Sequence, residues 1–197
     1  MSTRKIILVV ALVMTGPLFS SLSSAQAPLP RVGDFKIRAI RQQLVVAPDY
    51  RSLVTGTGNS SNTLTKKWLR IETEFDTVPD WADDMTVKYY VLIGKGREAK
   101  LFGGQVDYIN VEKGQHHLSA MFMHPNSVER FGQGNVEAVH VELWYKGRLM
   151  DQDVTPPTNF AWWQGADPIR GYLLDPQQTP WSITAFDRYE ESKHTAQ

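Results

Sequence analysis

Histidine, clustered aspartate and tryptophan are the residue types through which this 197-residue chain could do chemistry. Five histidines are present, and His116 and His117 are adjacent. In a strand, neighbours point to opposite faces, so these two cannot readily ligate one metal. His117, His140 and a carboxylate could together make a zinc site, but nothing like H-E-x-x-H supports one. Asp80, Asp83 and Asp84 could offer oxygen ligands to Ca²⁺. The spacing and the missing glycine exclude an EF-hand loop, and a solvated acidic turn explains the cluster more simply. No G-x-S-x-G elbow occurs, and Gly56-Thr57-Gly58 lacks the strand-to-helix setting of a phosphate loop. A carboxylate pair for glycoside hydrolysis is a tertiary feature that spacing cannot reveal. Cysteine is absent, which removes thiol nucleophiles, disulfides and thiolate metal sites. The expectation is a protein with no catalytic residues, no metal and no cofactor.

Tryptophan is the remaining signal. Trp162-Trp163 precede Gln164-Gly165 in a long irregular stretch from Asn159 to Pro180. Exposed, such a pair could stack on sugar rings or anchor a protein partner. Alternatively the stretch folds across a sheet and buries both rings as a satellite core, since so long a loop must be tied down somewhere.

The elements that must position these residues read almost entirely as strands. Phe35, Ile37 and Ala39 alternate with Lys36 and Arg38, and the alternation slips at Ile40, the mark of a bulge or a change of sheet. Thr55–Thr65 is a Gly, Ser, Asn and Thr loop. Leu69, Ile71, Thr73 and Phe75 form one face of the next strand, opposite Arg70, Glu72 and Glu74. Val87, Tyr89, Val91 and Ile93 follow, after a turn over Pro79–Asp84. Lys100–Val111 is a strand with a bulge or bend expected at Gly103-Gly104. Glu112–Gln115 reads as a hairpin turn, and Pro125–Phe131 as a helical turn closed by Gly132. Val139, Val141, Leu143 and Tyr145 form a further face, with Arg148–Val154 as its antiparallel partner. Trp181, Ile183 and Ala185 suggest a last strand, and residues after Glu190 a frayed polar tail. Roughly eight strands and no long helix predict an all-β, antiparallel sandwich of immunoglobulin-like form, with a barrel as the alternative.

Composition agrees with one exported domain. Hydrophobic residues are 42% and charged residues 21%, as in ordinary globular chains. Basic and acidic residues number 21 each, so nothing points to nucleic acid. Arg4 and Lys5 precede an apolar run, Ile6–Met14, that is too short to span a bilayer and is broken by Gly16-Pro17. Small residues follow, as in a secretory signal peptide. Cleavage after Ala25 leaves Gln26 first; cleavage after Ala27 would leave Pro28, a poor residue beside a cut. The expected organisation is a signal peptide at 1–25, an extended leader at 26–33, the sandwich at 34–189 and a tail at 190–197. The mature chain has no second run of spanning length, which places it in the periplasm or at the cell surface.

Three stretches carry a family resemblance: Phe35-Lys36-Ile37, Lys67-Trp68-Leu69-Arg70-Ile71-Glu72-Thr73-Glu74-Phe75, and Thr179-Pro180-Trp181 with Phe186-Asp187-Arg188-Tyr189. Together they resemble small exported proteins of the verrucomicrobial group that are encoded beside type IV pilus assembly genes. The resemblance implies an immunoglobulin-like sandwich that works noncatalytically with a pilus or secretion apparatus, with other exported or pilus-assembly proteins as partners. It defines no functional residues. The short, broken apolar run departs from pilins, which keep their N-terminal helix in the filament.

Two functions therefore compete: an accessory that docks protein through sheet edges and the Trp162–Pro180 loop, and a sandwich that binds glycans through exposed tryptophans. The charge-rich strand Lys67–Asp76 is the expected edge, with Thr73 marking its docking face. Mass spectrometry of the exported protein should find Gln26, or failing that Pro28, at the N-terminus. Intact Arg4 in a membrane-bound product would overturn the export argument.

Overall fold

Period-2 patterning yields long strands where it predicts them. The computed structural model describes residues 30–48, 66–185 and 187–193. The expected signal peptide, the Thr55–Thr65 loop and His194 lie outside the described residues. In chain order the elements are β1 (Phe35–Val46), β2 (Lys67–Ala82), β3 (Met85–Ile93), β4 (Lys100–Tyr108), β5 (Val111–Met123), α1 (Pro125–Phe131), β6 (Val136–Tyr145), β7 (Arg148–Thr155), β8 (Leu173–Leu174) and α2 (Trp181–Thr184). They form two four-stranded antiparallel sheets, β1-β2-β5-β8 and β4-β3-β6-β7. This is a sandwich of immunoglobulin-like strand order in which the fourth strand has joined the sheet of the third and sixth.

The inner faces carry the expected core. Leu69, Ile71 and Phe75 of β2 meet Val87, Tyr89, Val91 and Ile93 of β3 and Val139, Val141 and Leu143 of β6, all buried. Tyr89 and Tyr108 place their hydroxyls inside this apolar layer, where both donate to Ser119 Oγ at 2.8 and 2.7 Å. Burial pushes both phenols well above their ordinary pKa, so they stay neutral hydrogen-bond donors. The slip foreseen near Ile40 is a shift of register between Ile37 and Ala39, a bulge at Arg38. α1 forms as expected: Pro125 occupies its first turn, His124 Nδ1 accepts from Asn126 N–H, and Gly132 ends it at φ 148°.

Several expectations fail, each for a local reason. β2 continues through Pro79-Asp80 to Ala82, so the turn is only Asp83-Asp84, with Asp84 at φ 65°. Glu112–Gln115 lies within β5 rather than in a hairpin. Gly103-Gly104 is neither bulged nor bent, because β4 pairs with β3 in unbroken register. Those glycines make room for covering chain instead: a Cβ on Gly103 would lie 2.8 Å from Pro168, and one on Gly104 2.6 Å from Met121. Trp181, Ile183 and Ala185 form no strand. Trp181 and Ala185 are four residues apart on one face of the turn α2, whereas Ile183 points to solvent.

That turn belongs to a C-terminal segment that adds a third layer. On the outer face of the β1-β2-β5 sheet, Trp68, Ala120, Phe122, Trp181 and Tyr189 make a second apolar cluster. Phe122 and Trp181 stack with centroids 4.5 Å apart. The outer face of β2 and β5 is therefore buried as well as the inner one. Phe122→Ala should cost about 2–5 kcal/mol in urea denaturation, comparable to Ile71→Ala on the inner face. A loss at Phe122 below about 0.5 kcal/mol, the range of surface changes, would mean that the C-terminal layer is not packed there.

Candidate functional site

Each residue singled out from the sequence now has a place. β2 lies between β1 and β5, so the strand Lys67–Asp76 is central and not an edge. Thr73 pairs with Ile40 on one side and Ser119 on the other, and its side chain is fully buried among core residues. It offers nothing to a partner. Alternating charges suggested an edge because Glu72, Glu74 and Asp76 do point outward, but arginines and the C-terminal segment meet them there.

Trp162 and Trp163 lie half-buried over the outer face of the β3-β6 sheet. The Trp163 ring stacks on His140 at 3.6 Å between centroids, and Trp162 meets it edge-on at 5.6 Å. Both indole N–H groups and His140 Nδ1 are buried without a hydrogen-bond partner. One face of Trp163 is thus already occupied. The strongly exposed tryptophan is Trp81, at the far end of β2.

The outward carboxylates of β2, Glu72, Glu74 and Asp76, are paired. Glu72, which is buried, accepts from Arg188 at 3.0 Å and Tyr189 at 3.4 Å, with Arg70 at 3.8 Å. Asp76 holds Arg38 and the N–H of His116. Burial would raise the Asp76 pKa, but these two hydrogen bonds outweigh it and hold the carboxyl low. Glu74 is also held low, by His116 and then Arg41.

One arrangement looks like a hydrolytic relay. Thr77 Oγ1 lies 3.2 Å from His117 Nε2, and His117 Nδ1 lies 2.7 Å from Glu190. The hydrogen bonds run the wrong way for base catalysis. Thr77 gives its proton to the Glu112 carbonyl at 2.6 Å and accepts from Gly114 N–H at 3.2 Å. His117 Nε2 is therefore a donor to Thr77, and a charged imidazole satisfies every partner at once. The Glu190 hydrogen bond raises the His117 pKa against the opposing effect of burial. The sequence singled out His117 for a possible metal; the structure gives it to the docking of the C-terminal segment. Among the described residues, no group of three or more metal-ligating side chains is close enough to hold an ion, and no helix is long and apolar enough to cross a membrane.

Among the described residues, a stretch of the β1 edge and the cleft beside it are exposed. At the β4 edge, Ile169 bridges Phe102 and Ser192 bridges Tyr108. The tail expected to fray is thereby docked as far as Lys193, whose N–H meets the Asp107 carbonyl at 2.7 Å. On β7, Asp151 and Asp153 cap the N–H groups of Gln152 and Val154, and Asp151 also takes that of Ile37. On β1, Arg41–Val46 pair with no strand on the side away from β2 among the described residues. Leu44 and Val46 there are 43% and 51% exposed.

Beside this edge, the β3–β4 and α1–β6 loops enclose a cleft of about 850 Å³. Its floor is rigid: Gly94 N–H donates to the Asn135 carbonyl at 3.0 Å, the Asn135 amide returns to the Gly94 carbonyl, and Gly132 packs directly on Gly94.

The charged docking of His117 fixes the sign of a pH effect. With its pKa raised on folding, His117 stabilises fully below the ordinary imidazole range, and that contribution is lost as pH rises through the folded-state value. Denaturation midpoints should therefore fall above neutral pH, and His117→Gln should flatten that fall. An unchanged slope in the variant would contradict the charged pair.

A protein-family model matches residues 30–196, a range that spans every described residue. No curated protein matches the chain. Among solved structures, a crystal structure of a protein from Akkermansia muciniphila aligns with a TM-score of 0.68 at 22% sequence identity, covering 82% of this chain and 94% of that one. At that identity the likeness shows a shared fold.

Proposed function

The chain belongs to the family whose model spans residues 30–196, and from that premise we propose that it is a noncatalytic, exported accessory protein of a type IV pilus-like or secretion apparatus. It docks other exported proteins by strand addition. One observation carries this reading: among the described residues the edge at Arg41–Val46 is open, with Leu44 and Val46 half-exposed beside it. An extended segment laid there gains main-chain hydrogen bonds, and its alternate side chains contact Leu44 and Val46. The contrast with the other edges supports it. β4 is covered by the chain's own segments and β7 is blocked by its own aspartates, as proteins do with edges that must not pair. The exported setting rests on the signal-peptide pattern of residues 1–25, and the pilus setting on the sequence resemblance. The half-buried state of Trp162 and Trp163 favours protein docking over the glycan-binding alternative.

The test is a crosslinking pull-down from cell-envelope extracts with wild type and Leu44→Asn/Val46→Asn, a change that keeps the charge and disfavours strand pairing. Pilus-assembly or other exported proteins should be captured by wild type and lost from the variant at unchanged thermal stability. An identical captured set would rule out the β1 edge. Glycan binding lost with Trp162→Ala or Trp163→Ala at unchanged stability would establish the alternative.

A further inference from the structure

The β1 edge does not end in open solvent. Leu44 packs against the α1–β6 loop, where a Cβ on Gly134 would lie 2.9 Å from it. Gln133 and Asn135, on either side of Gly134, line the cleft. A segment paired along β1 and continuing past Leu44 is thus delivered to the cleft mouth.

The cleft is basic. Lys95, Arg97, Lys100 and Arg130 line it, against Glu98 and Glu129. All four cations are exposed, and none has a carboxylate within 4.0 Å among the described residues. This sets them apart from Arg38, Arg41 and Arg188 on the sheet, each held by an acidic partner. Of the two acids, Glu129 lies 3.8 Å from Lys66. Lys100 and Arg130 approach the Phe131 ring at 5.6 and 4.9 Å, so two of the cations border an aromatic surface. The backbone beneath is cross-linked, so these charges stand on a preorganised frame.

We infer that the segment docking on β1 is an acidic peptide whose carboxylates enter this cleft. The inference rests on the β1 docking reading and adds the chemistry of the partner. A peptide suits the site better than a uniformly charged polyanion. Glu98 and Glu129 would repel a dense row of sulfates, whereas a peptide can place separate carboxylates among the four cations and an apolar side chain on Phe131. Pairing along β1 fixes direction and register, and the cleft adds selectivity and a faster, salt-sensitive encounter.

The probes are two fluorescein-labelled peptides with the same Thr-Val repeat, one continuing into four glutamates and the other into four glutamines. In anisotropy titrations at about 50 mM salt the glutamate peptide should bind roughly 10-fold tighter, and the preference should vanish near 500 mM salt. Lys95→Glu/Arg97→Glu, on exposed loop positions, should abolish the preference while leaving glutamine-peptide binding intact. Leu44→Asn/Val46→Asn should weaken both peptides. Equal binding of the two peptides to wild type would overturn the acidic-partner inference and leave β1 docking standing. Failure of both to bind at millimolar concentration would overturn both. Heparin is the competing probe. If it bound tightly through the cleft with no dependence on Leu44 or Val46, the site would belong to an anionic glycan and the peptide inference would fail.

Discussion

Every strand edge of a two-sheet sandwich carries backbone N–H and C=O groups that need a partner, and this requirement organises the molecule. The core alone does not explain why so much chain after β7 lies flat on the domain. The edge requirement does. Ile169 and Ser192 each form a bridge to β4, and β8 lies beside the end of β5. On the opposite side, Asp151 and Asp153 do with side chains what those segments do with backbone. Beside these partly covered edges, the stretch of β1 left unpaired among the described residues stands out.

The covering segments are held by two kinds of contact. Apolar stacking of Trp181 on Phe122 supplies burial, while Glu72 with Arg188, and His117 with Glu190, fix where the chain lies. Buried ionic contacts are weak sources of net stability, because desolvation offsets most of their attraction, but breaking one leaves a charge without a partner. Their effect here is registration. Glu72 receives Arg188 and Tyr189 together, which sets the chain just before Glu190 reaches His117 and Ser192 reaches Tyr108.

Much of this was legible in the sequence, and the misses share a cause. Ile71, Val91 and Val141 announce the core because side-chain alternation is a local property of a strand. Edge or centre is not local. Lys67–Asp76 shows the charges of an edge strand, yet the arginine partners of its carboxylates come from β1 and from Arg188, more than a hundred positions away. Trp181, Ile183 and Ala185 fit both a short strand and one helical turn, and only Phe122 beneath Trp181 decides. The cleft escaped for the same reason. Lys95 and Arg97 sit in the β3–β4 loop, Lys100 begins β4 and Arg130 lies near the end of α1, and the backbone pairing of Gly94 with Asn135 joins the two sides.

The glycines mark how closely these layers approach. Gly103 and Gly104 admit Pro168, Met121 and Leu173 onto β4, so the covering segment reaches the strand with no side chain between. Gly132 and Gly94 do the same at the cleft, where two loops touch backbone to backbone. At these two places the missing side chain brings together chain segments that are far apart in sequence. At β4 the contact seals an edge. At the cleft it leaves a fixed floor with cations above it that have no carboxylate partner among the described residues, next to the β1 edge. Closure by the chain itself on one side and a fixed, charged opening on the other are thus achieved by the same structural means. The asymmetry between them directs a partner to β1 and the adjoining loops.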